Sequence, residues 1–144
     1  MRRLRATLVL AGLGAGLVVS AAAADPASCG ASLDTTSRLL AEAPGWQVAF
    51  SPKLAPLTVG RHFSIDLAVC PKDPATRVVA VRVDADMPAH RHGMNYAAKV
   101  TALGGDRHRA DGLMFHMPGR WRFLFELTLA DGQVTRLARE VEVQ

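Results

Sequence analysis

No catalytic signature runs through this 144-residue chain. It has no H-E-x-x-H, no Gly-rich phosphate loop and no Ser-His-Asp set with a nucleophile turn, and its acids are scattered singly. Enzymatic chemistry would have to rest on a metal doing redox work, which the sequence does not show, and the chain reads as a binding protein. There is no run of arginine and lysine either, which removes the electrostatic footprint of a nucleic-acid binder. Cysteine is scarce: Cys29 and Cys70 are the only two, and they lack the C-x-x-C spacing of a redox or zinc pair. No internal repeat, low-complexity tract or linker divides the chain.

What is present begins with a targeting pattern. MRRLR is basic, residues 6–19 are almost wholly apolar, and a run of small residues from Ser20 to Ala24 follows. A charged head, a short apolar body and an A-x-A exit predict a signal peptide over residues 1–24, cut after Ala24, with the body too short for a comfortable membrane span. Cys29 does not mark a lipoprotein, because Pro26-Ala27-Ser28 offers no aliphatic residue at the required place. Removing residues 1–24 takes away Arg2, Arg3 and Arg5 and no acid, so the formal charge falls from +4 to +1. The remaining 120 residues, 25–144, are enough for one domain that buries its own core. The predicted location is periplasmic or secreted, where a Cys29–Cys70 bridge is the default reading and contributes about 2–4 kcal/mol.

Along the mature chain, residues 33–43 (LDTTSRLLAEA) read as one short helix, with Ser32 or Asp34 as cap and Pro44-Gly45 as stop. After it the period is two. Residues 46–50, 62–70, 77–84, 95–103, 107–117, 121–129 and 134–143 read as about seven strands, separated by Pro-, Gly- and Asp-rich turns. Phe63, Ile65, Leu67 and Val69 share a face, as do Val79, Val81 and Val83, and as do Trp121, Phe123, Phe125, Leu127 and Leu129. Asp131-Gly132 marks a hairpin. This spacing predicts an all-β protein, an immunoglobulin-like antiparallel β-sandwich.

Residues 87–121 (MPAHRHGMNYAAKVTALGGDRHRADGLMFHMPGRW) hold every methionine after the initiator, Met87, Met94, Met114 and Met117, together with His90, His92, His108 and His116. Met87-Pro88 opens the stretch and Met117-Pro118 recurs near its end, each beside histidine.

The segments DADMPAHRHGMNY and RADGLMFHMPGRWRFLFEL resemble the YtkA-like family of small exported bacterial domains, over the strands from Val78 to the C-terminus. The family carries an MP-x-H-x-H segment, a strand ending in F-x-M-P/A-G, and then W-x-F/L-x-F/V. The resemblance implies an immunoglobulin-like sandwich, a periplasmic or cell-surface location and a link to metal or respiratory-chain maturation. It maps the family's histidine motif onto His90 and His92 and its strand-end methionine onto Met117.

Read as chemistry, His90, His92 and Met94 form an i, i+2, i+4 file if the segment is extended, which puts two imidazoles and a thioether on one side. Met114 and His116 share a face of the later strand, with Met117 free at the turn. Thioether sulfur is a soft, uncharged ligand that binds Cu(I) well and Zn²⁺ poorly, while imidazole accepts either. The predicted metal set is therefore His90, His92, Met94, Met114, His116 and Met117, binding copper, with Cu(I) favoured. Zinc remains the alternative because Asp84 and Asp86 lie close by. The competing reading has the methionines filling gaps in the core and the loop acting as a metal-free interaction surface that includes Tyr96. His62 and His108 read as solvated. The expected partner is a periplasmic or membrane-bound copper or respiratory protein.

Overall fold

The computed structural model describes residues 29–144. The predicted signal peptide, residues 1–24, lies outside the described residues. Nine strands follow in order: β1 (Leu39–Ala43), β2 (Trp46–Pro52), β3 (His62–Pro71), β4 (Val78–Met87), β5 (His92–Gly93), β6 (Lys99–Gly104), β7 (Arg107–Met114), β8 (Gly119–Leu129) and β9 (Val134–Val143). They form two antiparallel sheets, one ordered β1-β2-β3-β7-β6 and the other β5-β4-β8-β9. Among the described residues no helix is long and apolar enough to cross a membrane.

The alternation seen in the sequence is what packs the two sheets together. Trp121, Phe123, Phe125, Leu127 and Leu129 of β8 are buried, facing Phe63, Ile65, Leu67 and Val69 of β3 and Val48 and Phe50 of β2. Phe50 meets Phe123 and Phe125 at ring-centroid distances of 5.0 and 4.9 Å. Contacts of this kind contribute beyond the apolar area they bury. The Asp131-Gly132 turn forms as its residues demand: Gly132 adopts φ 85° and donates to the Leu129 carbonyl at 3.0 Å.

Two expectations are corrected. Residues 33–43 contain no helix. Leu39–Ala43 pairs with β2 instead, with Ala43 opposite Trp46, so Pro44-Gly45 is the turn of a hairpin and not a helix stop. The physical reason is that LLAEA alternates as well as it coils, burying Ala41 while exposing Leu40 and Glu42, and the open edge of β2 rewards the extended form. Asp34 accepts from the Thr36 amide at 2.9 Å, a local turn in place of a cap. Leu33 packs with Cys29, Ala49 and Ala68 in a second small cluster on the far side of β2 and β3. The Cys29–Cys70 disulfide fastens this flap, and the segment it holds is why β2 is buried along its whole length on both faces. The second correction concerns Val79, expected to face inward. A register shift between Val78 and Ala80 turns it out, leaving it 59% exposed, while Val83, Ala85 and Met87 keep the inward face.

Ion pairs converging on the buried Asp66 carboxylate pin the five-stranded sheet. Asp66 accepts from Arg109 Nε at 2.7 Å and Nη2 at 3.2 Å, and from Lys53 Nζ at 2.8 Å. The Arg109 hydrogen bonds, chiefly, and the Lys53 ammonium hold its carboxyl down at about 2, against the opposing effect of burial.

Candidate functional site

Met87 ends β4, and residues 88–91 turn the chain back so that His92 pairs with Met87 and Gly93 with Asp86. The His90 and Arg91 amides both donate to the Met87 carbonyl at 3.0 Å, and Arg91 takes the left-handed φ of 56° that closes the turn. The segment is therefore a tight hairpin, and the expected extended file of His90, His92 and Met94 does not form. His90 stands exposed on the turn while His92 sits half-buried on β5, paired with the inward-facing Met87. Their rings still lie near one another, with centroids 5.9 Å apart.

The second Met-Pro segment arrives from β7. Phe115 is buried in the core, and His116 and Met117 follow it at the mouth of the sandwich before Gly119 opens β8. Trp121, fully buried, is the floor on which the two segments meet. Its indole lies 5.6 Å from the His92 ring and 5.3 Å from the His116 ring, both edge to face, and its Nε1–H donates to the Met117 carbonyl at 3.0 Å. His92 and His116 are 4.9 Å apart by ring centroid. Gly119 lets the segments close, because a Cβ there would lie 2.8 Å from Met87 Cε.

The decisive contact is between His92 Nε2 and Met117 Sδ, at 3.2 Å. His92 Nδ1 lies 3.2 Å from the Gly93 carbonyl oxygen, which accepts when the proton is on Nδ1; with the proton on Nε2 the ring instead donates to the Met117 sulfur. In the first tautomer Nε2 presents its lone pair toward the sulfur, where a cation between the two would engage both. A backbone carbonyl holding one ring nitrogen so that the other can bind is the usual orientation of a metal-ligating histidine. At bond lengths of about 2.0 Å to nitrogen and about 2.3 Å to sulfur, donors this far apart subtend about 95° at a shared ion, a workable coordination angle. His116 Nδ1 is buried beside them without a hydrogen-bond partner, a cost that a ligand or proton would relieve.

The other residues expected at the site are elsewhere. The Met94 amide donates to Ala85 O, and its side chain packs on the core at a cleft shared with Arg82, Asp84 and Tyr96. Met114 pairs with His62 across β7 and β3. The carboxylates that kept zinc in play are engaged: Asp86 takes Arg122 Nε and Nη2 at 2.9 and 2.6 Å, and Asp84 takes Arg82 and the Ala85 amide. Among the described residues no group of three or more His, Cys, Asp or Glu side chains is placed to hold an ion, so a metal here depends on sulfur. Trp121 was legible in the sequence only as a core residue. Its place under both imidazoles follows from the packing of β8 against two loop ends.

No family model matches this chain, and no curated protein does. Among solved structures it is similar to a cohesin module from a family 33 glycoside hydrolase of Clostridium perfringens, at 12% identity and a TM-score of 0.32, covering 66% of this chain and 95% of that one. A likeness that slight carries nothing about function, and the site must speak for itself.

Proposed function

We propose that this protein is an exported immunoglobulin-like domain of YtkA-like type, periplasmic or secreted, that binds or delivers copper. His92 Nε2 and Met117 Sδ are its primary donors, His116 the buried reserve and His90 the exposed neighbour. One observation carries the reading: a ring nitrogen of His92 faces the Met117 thioether at 3.2 Å, with the His116 ring and the Trp121 indole alongside. The donor chemistry favours Cu(I). A nitrogen and a thioether on an indole floor, with both nearby aspartates neutralised by arginine, suit a soft monovalent ion better than Zn²⁺. The Cys29–Cys70 disulfide fits an oxidising compartment, where a thioether still binds copper and a free thiol is lost. The motif resemblance to YtkA-like domains supports the same assignment, and the partner it suggests is a periplasmic or membrane-bound copper or respiratory protein.

The test is a Cu(I) titration in competition with a chromophoric chelator, on the wild type, His92→Ala, Met117→Leu and the double variant. Each single change is expected to weaken Cu(I) by about tenfold to a hundredfold, the range seen even for groups that only orient a ligand. An affinity unchanged in the double variant ends the copper assignment. It leaves the exposed turn at residues 88–91 to the metal-free alternative, a surface for a protein partner.

A further inference from the structure

Met114, expected to share a face with His116, alternates with the buried Leu113 and Phe115 and lies opposite His62 in the register of β7 and β3. Phe63 and Leu113 are register partners and both are buried, so the next pair, His62 and Met114, stands together on the outer face of the five-stranded sheet. Directly opposed residues on antiparallel strands have Cβ atoms about 4.5–5.5 Å apart, which brings an imidazole nitrogen and a thioether within reach of one ion above the sheet. Met114 is half-buried and, among the described residues, is not one of the partly buried side chains packed on the main core.

Tyr96 completes the patch. It comes from the loop between β5 and β6, and its ring meets His62 edge to face at a centroid distance of 4.9 Å. Sheet order places β7 between β3 and β6, and Gly112 of β7 lies beside the Ala97 carbonyl. The segment carrying Tyr96 thus runs beside the end of β7, and its ring meets His62 of the neighbouring β3. Tyr96 remains 43% exposed.

We propose that His62 and Met114, flanked by Tyr96, form a second soft-metal site that takes a monovalent d¹⁰ cation such as Cu(I) or Ag(I). It stands on different donors from the His92 and Met117 pair and does not depend on that pair binding metal. Its chemistry is the same: one neutral nitrogen, one thioether and a ring alongside, a set that favours a soft cation over a hard divalent one.

The protein labelled with ¹³C at the methionine methyls, titrated with Ag(I), reads each thioether by itself. The expected result is that the Met114 and Met117 methyl resonances both move and both saturate. In His62→Ala the Met114 shift disappears while the Met117 shift remains, and in His92→Ala the pattern reverses. His62 is exposed, so its replacement leaves the core intact; His62→Gln serves as a second variant. A Met114 resonance that stays still after Met117 has saturated overturns the second site and spares the first. A Met114 shift unchanged in both His62 variants overturns it too. Stillness at Met117 alone counts against the first site and leaves this one standing.

Discussion

Replacing Asp66 by Asn tests whether the ion cluster on β3 holds the sheet together as its geometry says. The carboxylate is 7% exposed and takes three hydrogen bonds from Arg109 and Lys53, whose side chains are 44% and 42% exposed. Its pKa is lowered from 3.8 to about 2. A group depressed in the folded state contributes stability that is fully present above its unfolded value and is lost as the pH falls through its folded value. At 1.36 kcal/mol for each unit the shift corresponds to roughly 2 kcal/mol at most, and screening through the half-exposed cations brings the expected effect to about 1–2 kcal/mol. Urea denaturation of wild type and Asp66→Asn at pH 6 and at pH 2 is the assay. The variant is expected to be less stable by about 1–2 kcal/mol at pH 6, and the gap is expected to close toward pH 2, where the wild-type carboxyl gains the proton that makes it resemble the amide. A gap of the same size at both pH values, or none at pH 6, refutes the electrostatic account and leaves Asp66 as a packing residue.

Three further outcomes follow from the fold. Cys29 and Cys70 are separated by 41 residues, and loop-closure entropy over that span is worth about 4 kcal/mol, so the double serine variant is expected to melt roughly 15 °C lower; a reductant that leaves the wild-type Tm unchanged would sink this estimate. Gly119→Ala places a Cβ at φ 118° and 2.8 Å from Met87 Cε, for an expected loss of about 1–3 kcal/mol on calorimetry, and a neutral result means that the two Met-Pro segments are not held in register there. Trp121→Phe leaves the Met117 carbonyl unpaired and a void below it, so a loss of about 2–4 kcal/mol and weaker Cu(I) binding are expected together. Retained copper affinity in that variant would show that Met117 needs no positioning from the indole.

Local patterning carried the sheets. Phe63 to Val69 and Trp121 to Leu129 have side chains that must alternate in any extended chain, so their inward faces could be read before any neighbour was known. Where two local preferences were comparable, the neighbour chose: LLAEA suits a helix or an edge strand, and only the open side of β2 made it a strand. The same holds for Val79, whose outward turn depends on a bulge required by the register with β8.

The sequence by itself determined that this is an all-β chain of short alternating strands, with its soft donors gathered into two Met-Pro segments, because composition and period are properties of neighbours along the backbone. Only the tertiary structure decided which donors meet. A hairpin turn at residues 88–91 broke the His90, His92 and Met94 file, and strand pairing carried Met114 to His62. Trp121 brought His92, His116 and Met117 over one ring. Those encounters join residues far apart in the chain, and their distances are set by how two sheets close on each other, which no local pattern encodes.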